Sequence, residues 1–167
     1  MTVTQQQLWA PWRLSYVAEP DKSDGGCFLC RYRDDNSDTK NHVICRSQSS
    51  LVVLNRYPYN NGHLLIAPLE HKATLDDLND AEFLDMMNLM RRLTSVLSRV
   101  LTPDGFNIGL NLGQAAGAGL PGHIHWHVVP RWVGDTNFMP VLGNAKVIPQ
   151  SLEALYELLQ PKLFDES

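Results

Sequence analysis

Short apolar runs separated by polar turns follow the aromatic beginning of the chain. The segments HVICRS, SLVVLNRY and GHLLIAPLEH are rich in β-branched and other apolar residues, which is typical of short strands. The spacer PYNNG between the last two segments is a strong turn signal. The pattern therefore predicts three consecutive strands in an antiparallel meander.

A helical period replaces the strand pattern from Asn79 onward. Asn79 is a good N-cap residue, and Glu82, three positions later, completes the sequence of a capping box. Apolar residues then recur at steps of three and four positions until the segment TPDG, which ends the helix. The recurring residues are Phe83, Met86, Met87, Met90, Leu93, Val96, Leu97 and Val100. This spacing predicts one long amphipathic helix whose methionines pack into the core rather than bind a cofactor.

Two more strands and a short helix complete the pattern. FNIGLNLG and HIHWHVVPRW predict strands, and the glycine-rich QAAGAGLPG between them predicts a loop. Ser151 is suited to cap a final helix. The apolar side of that helix consists of Leu152, Leu155, Leu158 and Leu159. The polar segment around Cys27 and Cys30 predicts a further loop. A meander, a long helix, two strands and a short helix define the α+β class.

The length of the chain fits one domain. We assign residues 1–167 to a single domain, with an aromatic N-terminal arm and loop over 1–26 and a core over 27–160. The arm includes Trp9 and Trp12. Aromatic residues near a terminus predict a segment docked on the body of the domain or on a second subunit.

Composition and charge narrow the class of protein. A hydrophobic fraction of 44% and a charged fraction of 19% are those of an ordinary soluble globular domain. The net charge of −4 argues against broad electrostatic binding to nucleic acid or to anionic lipid. The sequence shows neither a signal peptide nor an apolar run of about 20 residues. Three cysteines, an odd number, favour the reducing cytoplasm.

Half of the six histidines lie in the segment GHIHWHVVPRW. Because side chains alternate between the two faces of a strand, His123, His125 and His127 are predicted to lie on one face. The preceding glycines allow backbone N–H groups to approach an anion closely. An imidazole row beside such a loop is suited to phosphoryl or nucleotidyl transfer, with one imidazole as nucleophile and its neighbours as hydrogen-bond donors.

Two other interpretations of the histidine row remain open. The pattern H-x-H is a common pair of metal ligands, and histidines are also tolerated on an exposed strand face. The nearest carboxylate is that of Asp135, so the sequence offers little to complete a catalytic metal site. The glycine loop and the apolar residues Ile124, Trp126 and Val128 on the opposite face favour the catalytic interpretation.

The segment HIHWHVV resembles the motif that names the histidine triad (HIT) superfamily of nucleotide hydrolases and transferases. LNRYPYNNGHLLIAP and NIGLNLGQAAGAG are similar to the upstream block and the phosphate loop of that superfamily. Together with LWAPWRLSYV, CFLC and VIPQSLEALYELL, they resemble its bacterial diadenosine tetraphosphate phosphorylase branch, over roughly residues 8 to 160. The resemblance implies a HIT-like fold and a homodimer that joins two sheets, or a higher homo-oligomer.

The resemblance also implies roles for four histidines. His125 matches the nucleophile that becomes covalently nucleotidylated, and His127 matches the histidine that contacts the bridging oxygen and assists the leaving group. His123 matches the first histidine of the triad, which supports the site. His63 matches the upstream histidine that helps to hold the triad. No catalytic metal is expected.

Further residues of the resembling motifs are expected to bind the nucleotide. Asn55 takes the place of a nucleoside-binding asparagine, and Trp132 is expected near the site, where it would influence substrate choice; a core position is the alternative for Trp132. The loop expected to embrace the phosphates contains Asn111, Gln114, Gly117 and Ala118. This loop is one residue longer, from Asn111 to His123, than in the smallest family members.

The pair Cys27 and Cys30 is on its own a weak zinc signal. Zinc-bearing HIT relatives combine such a pair with a histidine after the AP strand and with the first triad histidine, which here are His71 and His123. Two thiolates and two imidazoles would form a closed, structural Cys2His2 zinc site. The alternative is a pair of reduced structural cysteines and a surface His71.

The implied reaction is nucleotidyl transfer through a nucleotidyl-histidine, most simply phosphorolysis of diadenosine tetraphosphate to ADP and ATP. The substrates would then be a nucleoside polyphosphate and inorganic phosphate. Two alternatives remain: a HIT hydrolase of dinucleoside polyphosphates or nucleoside phosphoramidates, and a non-catalytic nucleotide-binding regulator. The intact His125 favours an enzyme, because a regulator would not need the nucleophile.

Overall fold

The computed structural model describes residues 26–136 and 148–163, and every structural statement below refers to these residues. The aromatic arm predicted before residue 26 lies outside them. The helices are α1 (Phe28–Asp34), α2 (Asp38–Asn41), α3 (Asp80–Leu101) and α4 (Leu152–Leu159). The strands are β1 (Val43–Arg46), β2 (Ser50–Leu54), β3 (Leu64–Pro68), β4 (Gly105–Leu110) and β5 (Trp126–Arg131). Single 3-10 turns span Gln114–Ala116 and Pro161–Leu163.

The five strands form one antiparallel sheet in the order β1-β2-β3-β5-β4. The first three strands are the predicted meander, and β5 lies between β3 and β4. Within this register His127 is opposite Leu65 on one side and opposite Gly109 on the other. The histidine-bearing strand is therefore fixed from both sides, and the predicted α+β class is confirmed.

Helices cover both faces of the sheet, and each face has its own apolar cluster. On one face α3 and α4 pack against β2, β3 and β5. The buried residues of this cluster include Val52, Ile66, Met86, Leu93, Leu97, Val128, Leu155 and Leu159. On the other face α1 packs against the first three strands. The buried residues there are Leu29, Tyr32, Val43, Leu51, Val53, Leu65 and Ala67. Because β2 and β3 are buried on both faces, their sequences are apolar from Leu51 to Leu54 and from Leu64 to Pro68.

Helix α3 begins with the predicted capping box, and both hydrogen bonds of the box are present. The Asn79 side chain accepts a hydrogen bond from the Glu82 N–H at 3.0 Å, and the Glu82 carboxylate accepts from the Asn79 N–H at 2.8 Å. Met86 is fully buried, as predicted for a core methionine. Phe83 is 42% exposed, against the prediction, because Glu82 occupies the inward position of the first turn.

Three local predictions were wrong or incomplete. The cysteine pair does not lie in a loop, because Cys27 caps α1 and Cys30 lies in its first turn. Helix α2 was not predicted. Strand β5 begins at Trp126 rather than at residue 123, because Ile124 donates its N–H to the carbonyl of Lys72 instead of to a neighbouring strand.

The turn before β3 requires glycine. Gly62 has a φ of +75°, and a Cβ there would lie 2.8 Å from Leu101 and 3.0 Å from Pro130. The PYNNG turn therefore closes against α3 and β5 and delivers His63 to the start of β3. Within the described parts of the chain, no helix combines the length and the apolar character needed to cross a membrane.

A carboxylate ties α3 to the turn between β1 and β2. Asp85 accepts hydrogen bonds from the hydroxyl groups of Ser47, Ser49 and Ser50, and Ser50 is fully buried. Burial alone would raise the pKa of Asp85, but the three serine hydrogen bonds outweigh it and lower the pKa below its ordinary value of 3.8. Asp85 is thus charged at neutral pH and anchors the helix to the sheet.

We expect Asp85→Ala to lower the free energy of unfolding by about 2–3 kcal/mol, because a buried hydroxyl loses its charged acceptor. Chemical denaturation at neutral pH measures this, with the exposed Asp76→Ala as control. Since the folded pKa of Asp85 is lowered, its contribution is complete above 3.8 and disappears as the pH falls through the folded pKa. The difference in the free energy of unfolding between wild type and Asp85→Ala should become smaller at acid pH. A difference that does not change with pH would contradict the lowered pKa of Asp85.

Candidate active site

Four buried or half-buried histidines converge where β3 and β5 meet. His127 is on β5, His63 directly precedes β3, and His123 and His125 lie in the segment that leads into β5. The ring centroid of His127 is 5.0 Å from that of His125 and 5.1 Å from that of His63. The ring of His123 is instead 5.0 Å from that of His71. The predicted row is therefore divided between two adjoining clusters.

The tautomer of His125 is determined by a backbone contact. Its Nδ1 lies 2.8 Å from the carbonyl oxygen of His123, and a carbonyl only accepts, so Nδ1–H is the donor. The lone pair of His125 is therefore on Nε2. Burial lowers the pKa of His125, although the hydrogen bond to His123 opposes this effect. The ring is neutral at neutral pH, which is the state a nitrogen nucleophile needs.

A second chain of hydrogen bonds sets the tautomer of His127. The backbone N–H of Tyr59 donates to Nδ1 of His63 at 2.9 Å, so the proton of neutral His63 is on Nε2. That Nε2 lies 2.9 Å from Nδ1 of His127. Nδ1 of His127 is therefore the acceptor, and the proton of neutral His127 is on Nε2. A nucleophilic nitrogen and an N–H donor thus lie side by side.

The aromatic ring of Tyr59 covers the pair formed by His63 and His127. It stacks on His127 at a centroid distance of 5.5 Å with an interplanar angle of 22°, and lies 4.6 Å from His63. The ring is 37% exposed, so it forms part of the wall between the histidines and solvent. Sequence reasoning missed Tyr59. Its position four residues before His63, within a turn, gave no pattern from which this contact could be read.

Asn55 contacts His63 rather than an open surface. Its Nδ2 lies 3.2 Å from Nδ1 of His63, and its Oδ1 accepts a hydrogen bond from the backbone N–H of Tyr57 at 2.9 Å. The side chain therefore helps to orient His63. Contact between Asn55 and a nucleoside stays a prediction.

The glycine-rich loop connects the end of β4 to the histidines. Asn111 directly follows Leu110, the last residue of β4, which pairs with Trp126. Gln114 is exposed at the start of a 3-10 turn. The N–H groups of Gly117, whose φ is +81°, and Ala118 both bond to carbonyls within the loop. The loop begins next to Trp126 on β5, these two N–H groups are already used within it, and its contact with phosphates stays a prediction.

The structure does not bring Trp132 to the histidines of its own chain. Its indole N–H donates to the carbonyl of Thr102 at 3.2 Å, just beyond the end of α3. Five residues of extended chain separate Trp132 from His127, roughly 16 Å. The indole therefore lies beside the end of α3, and the expected influence of Trp132 on substrate choice stays a prediction.

Cys27, Cys30, His71 and His123 form a cluster of four ligand atoms that all lie within 4.8 Å of one another. Sγ of Cys27 is 3.1 Å from Nδ1 of His123, and Sγ of Cys30 is 3.3 Å from Nδ1 of His71. The other ring nitrogen of His123 donates to the carbonyl of Pro68 at 2.9 Å, which turns Nδ1 toward the sulfurs. The four predicted metal ligands are thus brought together.

The chemistry of this donor set fits zinc. Zinc in a tetrahedral site places a sulfur and a nitrogen ligand about 3.5 Å apart, close to the spacing of the cluster. Burial lowers the pKa of His123 to about 4, so the ring is in the neutral form that binds a metal. Burial and the neighbouring Cys27 raise the pKa of the Cys30 thiol, so a cation would be needed to favour two thiolates.

Comparison with known proteins agrees with this arrangement. The family model of the HIT domain matches residues 36–133. The chain is 41% identical over 160 residues to a Mycobacterium tuberculosis protein named AP-4-A phosphorylase, covering 92% of this chain and 82% of that protein. It is 32% identical over 93 residues to the Schizosaccharomyces pombe bis(5'-nucleosyl)-tetraphosphatase (asymmetrical), covering 56% of this chain and 50% of that protein.

Among solved structures, a zinc-bound histidine triad family protein from Mycobacterium smegmatis is similar. Its TM-score is 0.66 at 28% sequence identity, covering 83% of this chain and 93% of that chain. The chain belongs to the histidine triad family and is an enzyme of that family.

The tautomer and the pKa of His125 can be measured by NMR. We expect a neutral ring with the proton on Nδ1, and a pKa below the ordinary 6.5, because the ring is buried and its Nδ1–H is bonded to His123. Long-range ¹H–¹⁵N spectra between about pH 5 and 8 report both quantities. His125→Asn assigns the signal by its loss. A proton on Nε2, or a pKa above 6.5, would contradict the predicted nucleophile.

Proposed function

We propose that this protein transfers a nucleotidyl group from a dinucleoside polyphosphate to His125 and then to inorganic phosphate. The observation that carries the proposal is the 2.8 Å bond from Nδ1 of His125 to the carbonyl of His123, which leaves Nε2 as a neutral nucleophile. The 41% identity to a protein named AP-4-A phosphorylase supports diadenosine tetraphosphate as substrate and phosphate as acceptor.

In the first step, Nε2 of His125 attacks the α-phosphorus of diadenosine tetraphosphate. The N–P bond forms as the bond from that phosphorus to the bridging oxygen breaks, and ATP departs. Nε2–H of His127 donates a hydrogen bond to the departing oxygen and stabilises the negative charge with which ATP leaves. His63 holds His127 in the required tautomer through the 2.9 Å contact between Nε2 and Nδ1.

In the second step, inorganic phosphate attacks the phosphorus of the adenylyl-histidine. Nε2–H of His127 donates a hydrogen bond to an oxygen at the reacting phosphorus, the N–P bond breaks, and ADP is released with His125 regenerated. The loop that contains Asn111, Gln114, Gly117 and Ala118 is predicted to surround the phosphates during both steps. Because the N–H groups of Gly117 and Ala118 are bonded within the loop, the side chains of Asn111 and Gln114 are the proposed donors. Water in place of phosphate would make the same site a hydrolase, as the similarity to a tetraphosphatase allows.

We further propose that Cys27, Cys30, His71 and His123 bind a structural zinc ion. Such an ion would cross-link α1 to the segment before β5 and would have no open coordination position for substrate. His123 belongs to both clusters: its ring faces the cysteines, and its carbonyl orients His125. The ion would therefore stabilise the backbone that positions the nucleophile.

The homodimer and the cytoplasmic location implied by the sequence stay predictions. Strand β4 lies at an edge of the sheet, and Ile108 on it is 43% exposed. An edge strand of this kind is where a second sheet could join.

The reaction is tested by incubating the protein with diadenosine tetraphosphate, with and without phosphate, and identifying the products. We expect ADP and ATP only when phosphate is present. AMP and ATP in plain buffer would instead identify a hydrolase, and tight binding without turnover would identify a regulator.

The nucleophile is tested in the same assay. His125→Ala should lower the rate about 10³-fold or more, because it removes the unprotonated nitrogen that is proposed to form the intermediate. Its fold, checked by circular dichroism, should be unchanged. The wild type should trap a radioactive adenylyl group that His125→Ala does not. Substantial residual turnover by this variant would show that another group attacks phosphorus.

Metal analysis tests the zinc site. Protein purified without chelators should contain one zinc ion per chain, and Cys27→Ser should lose both the zinc and thermal stability. Cys45→Ala is the matched control, since Cys45 is buried on β1 outside the cluster. Wild-type protein free of metal, or a Cys27→Ser variant that keeps its zinc, would reject the site.

A further inference from the structure

The peptide group between His123 and Ile124 is hydrogen-bonded on both sides. Its carbonyl, on His123, accepts from Nδ1–H of His125 at 2.8 Å. Its N–H, on Ile124, donates to the carbonyl of Lys72 at 2.6 Å. Because the peptide group is planar, the position of the Lys72 carbonyl sets where the acceptor for His125 lies. The nucleophile is thus oriented by Lys72 through one amide.

The side chain of Lys72 is held in turn. Its ammonium group lies 2.6 Å from both carboxylate oxygens of Glu82 and 3.3 Å from the carboxylate of Glu70. The side chains of Lys72 and Glu82 are only 16% and 9% exposed, whereas that of Glu70 is 74% exposed. Glu82 is therefore the partner that fixes Lys72.

Glu82 is itself held in place by helix α3. It belongs to the capping box of α3, where its carboxylate accepts the N–H of Asn79. One turn further along, Met86 is fully buried in the core between α3 and the sheet. The capping bond needs only one oxygen of Glu82 and no charge, so it does not account for the bidentate contact with Lys72. A continuous series of contacts therefore runs from α3 to His125.

We propose that Glu82 and Lys72 are positioning residues for the nucleotidyl transfer. Their ion pair fixes the position of the Lys72 carbonyl, which accepts the Ile124 N–H. That bond in turn places the His123 carbonyl against Nδ1–H of His125. Donation by the Ile124 N–H also polarises the amide, so that its carbonyl is a stronger acceptor for His125. The proposal depends on the proposed role of His125 as nucleophile.

The structure offers variants that separate positioning from helix stability. Glu82→Gln retains an acceptor for the Asn79 N–H but removes the charge that binds Lys72. Asn79→Ala is the matched control, because it removes the other half of the capping box and leaves the ion pair in place. Lys72→Met removes the charge from the other side, and Lys72→Arg restores it.

Steady-state kinetics with diadenosine tetraphosphate and phosphate is the first measurement. We expect Glu82→Gln and Lys72→Met to lower kcat about tenfold or more without a matching change in KM, because the nucleophile is misplaced while binding is retained. Lys72→Arg should recover most of kcat. Asn79→Ala should lower the melting temperature while kcat stays that of the wild type.

The second measurement is the NMR signal of the His125 Nδ1 proton, which does not need turnover. It should shift and exchange faster with solvent in Glu82→Gln but not in Asn79→Ala. Zinc content is determined for each variant, because Lys72 follows His71. Loss of zinc in step with kcat would overturn the proposal by placing the effect in the metal cluster. A kcat and a His125 signal in Glu82→Gln equal to those of Asn79→Ala would also overturn it.

A failure of the proposed function can be distinguished from a failure of the positioning role of Glu82 and Lys72. A wild type that does not turn over the substrate would reject the nucleotidyl transfer itself. The His125 signal of Glu82→Gln would still decide whether the ion pair positions the imidazole.

Discussion

The hydrogen bond from Nδ1–H of His125 to the carbonyl of His123 is the contact on which the rest of the site depends. It selects the tautomer, keeps Nε2 unprotonated and ties the imidazole to the backbone of a residue whose own ring faces two cysteines. The fold supports this contact from three directions: α1 carries the cysteines, the segment after β3 carries Lys72, and β5 carries His127 between two neighbouring strands. Each feature acts on the same short stretch of backbone.

Much of this arrangement could be predicted from local sequence. The strand meander, the capping box at Asn79 and the helix begun at Ser151 depend on interactions between residues close in the chain, and each was confirmed. The meeting of His71 and His123 with the cysteine pair was predicted because the resembling motifs supply it. Periodicity therefore identified the strands and helices, and the resembling motifs identified the members of the cysteine and histidine cluster.

Contacts between distant segments could not be predicted in this way. Helix α1 forms around the cysteine pair because Leu29 and Tyr32 pack against the sheet. The polar sequence around these two residues gives no sign that a sheet surface lies there to bury them. The stacking of Tyr59 on His127 and the contact of Trp132 with the carbonyl of Thr102 depend on which turns lie next to which strands. The resemblance placed Trp132 near the site, whereas its indole N–H donates to the carbonyl of Thr102, just beyond the end of α3.

The imidazole relay, the hydrogen-bonded chain of His127 and His63, ends at a group that does not release its proton. It runs from His127 through His63 to the main-chain N–H of Tyr59, and an amide hydrogen is not given up at any physiological acidity. Protons consequently have no exit toward solvent by this route. In the proposed reaction, His127 therefore keeps its Nε2 proton and donates it as a hydrogen bond, first to the departing oxygen of ATP and then at the attack of phosphate, so both imidazoles hold the same tautomers throughout the cycle. The protonation of this pair of imidazoles then does not change during turnover, and the pair takes up no proton from the surrounding buffer.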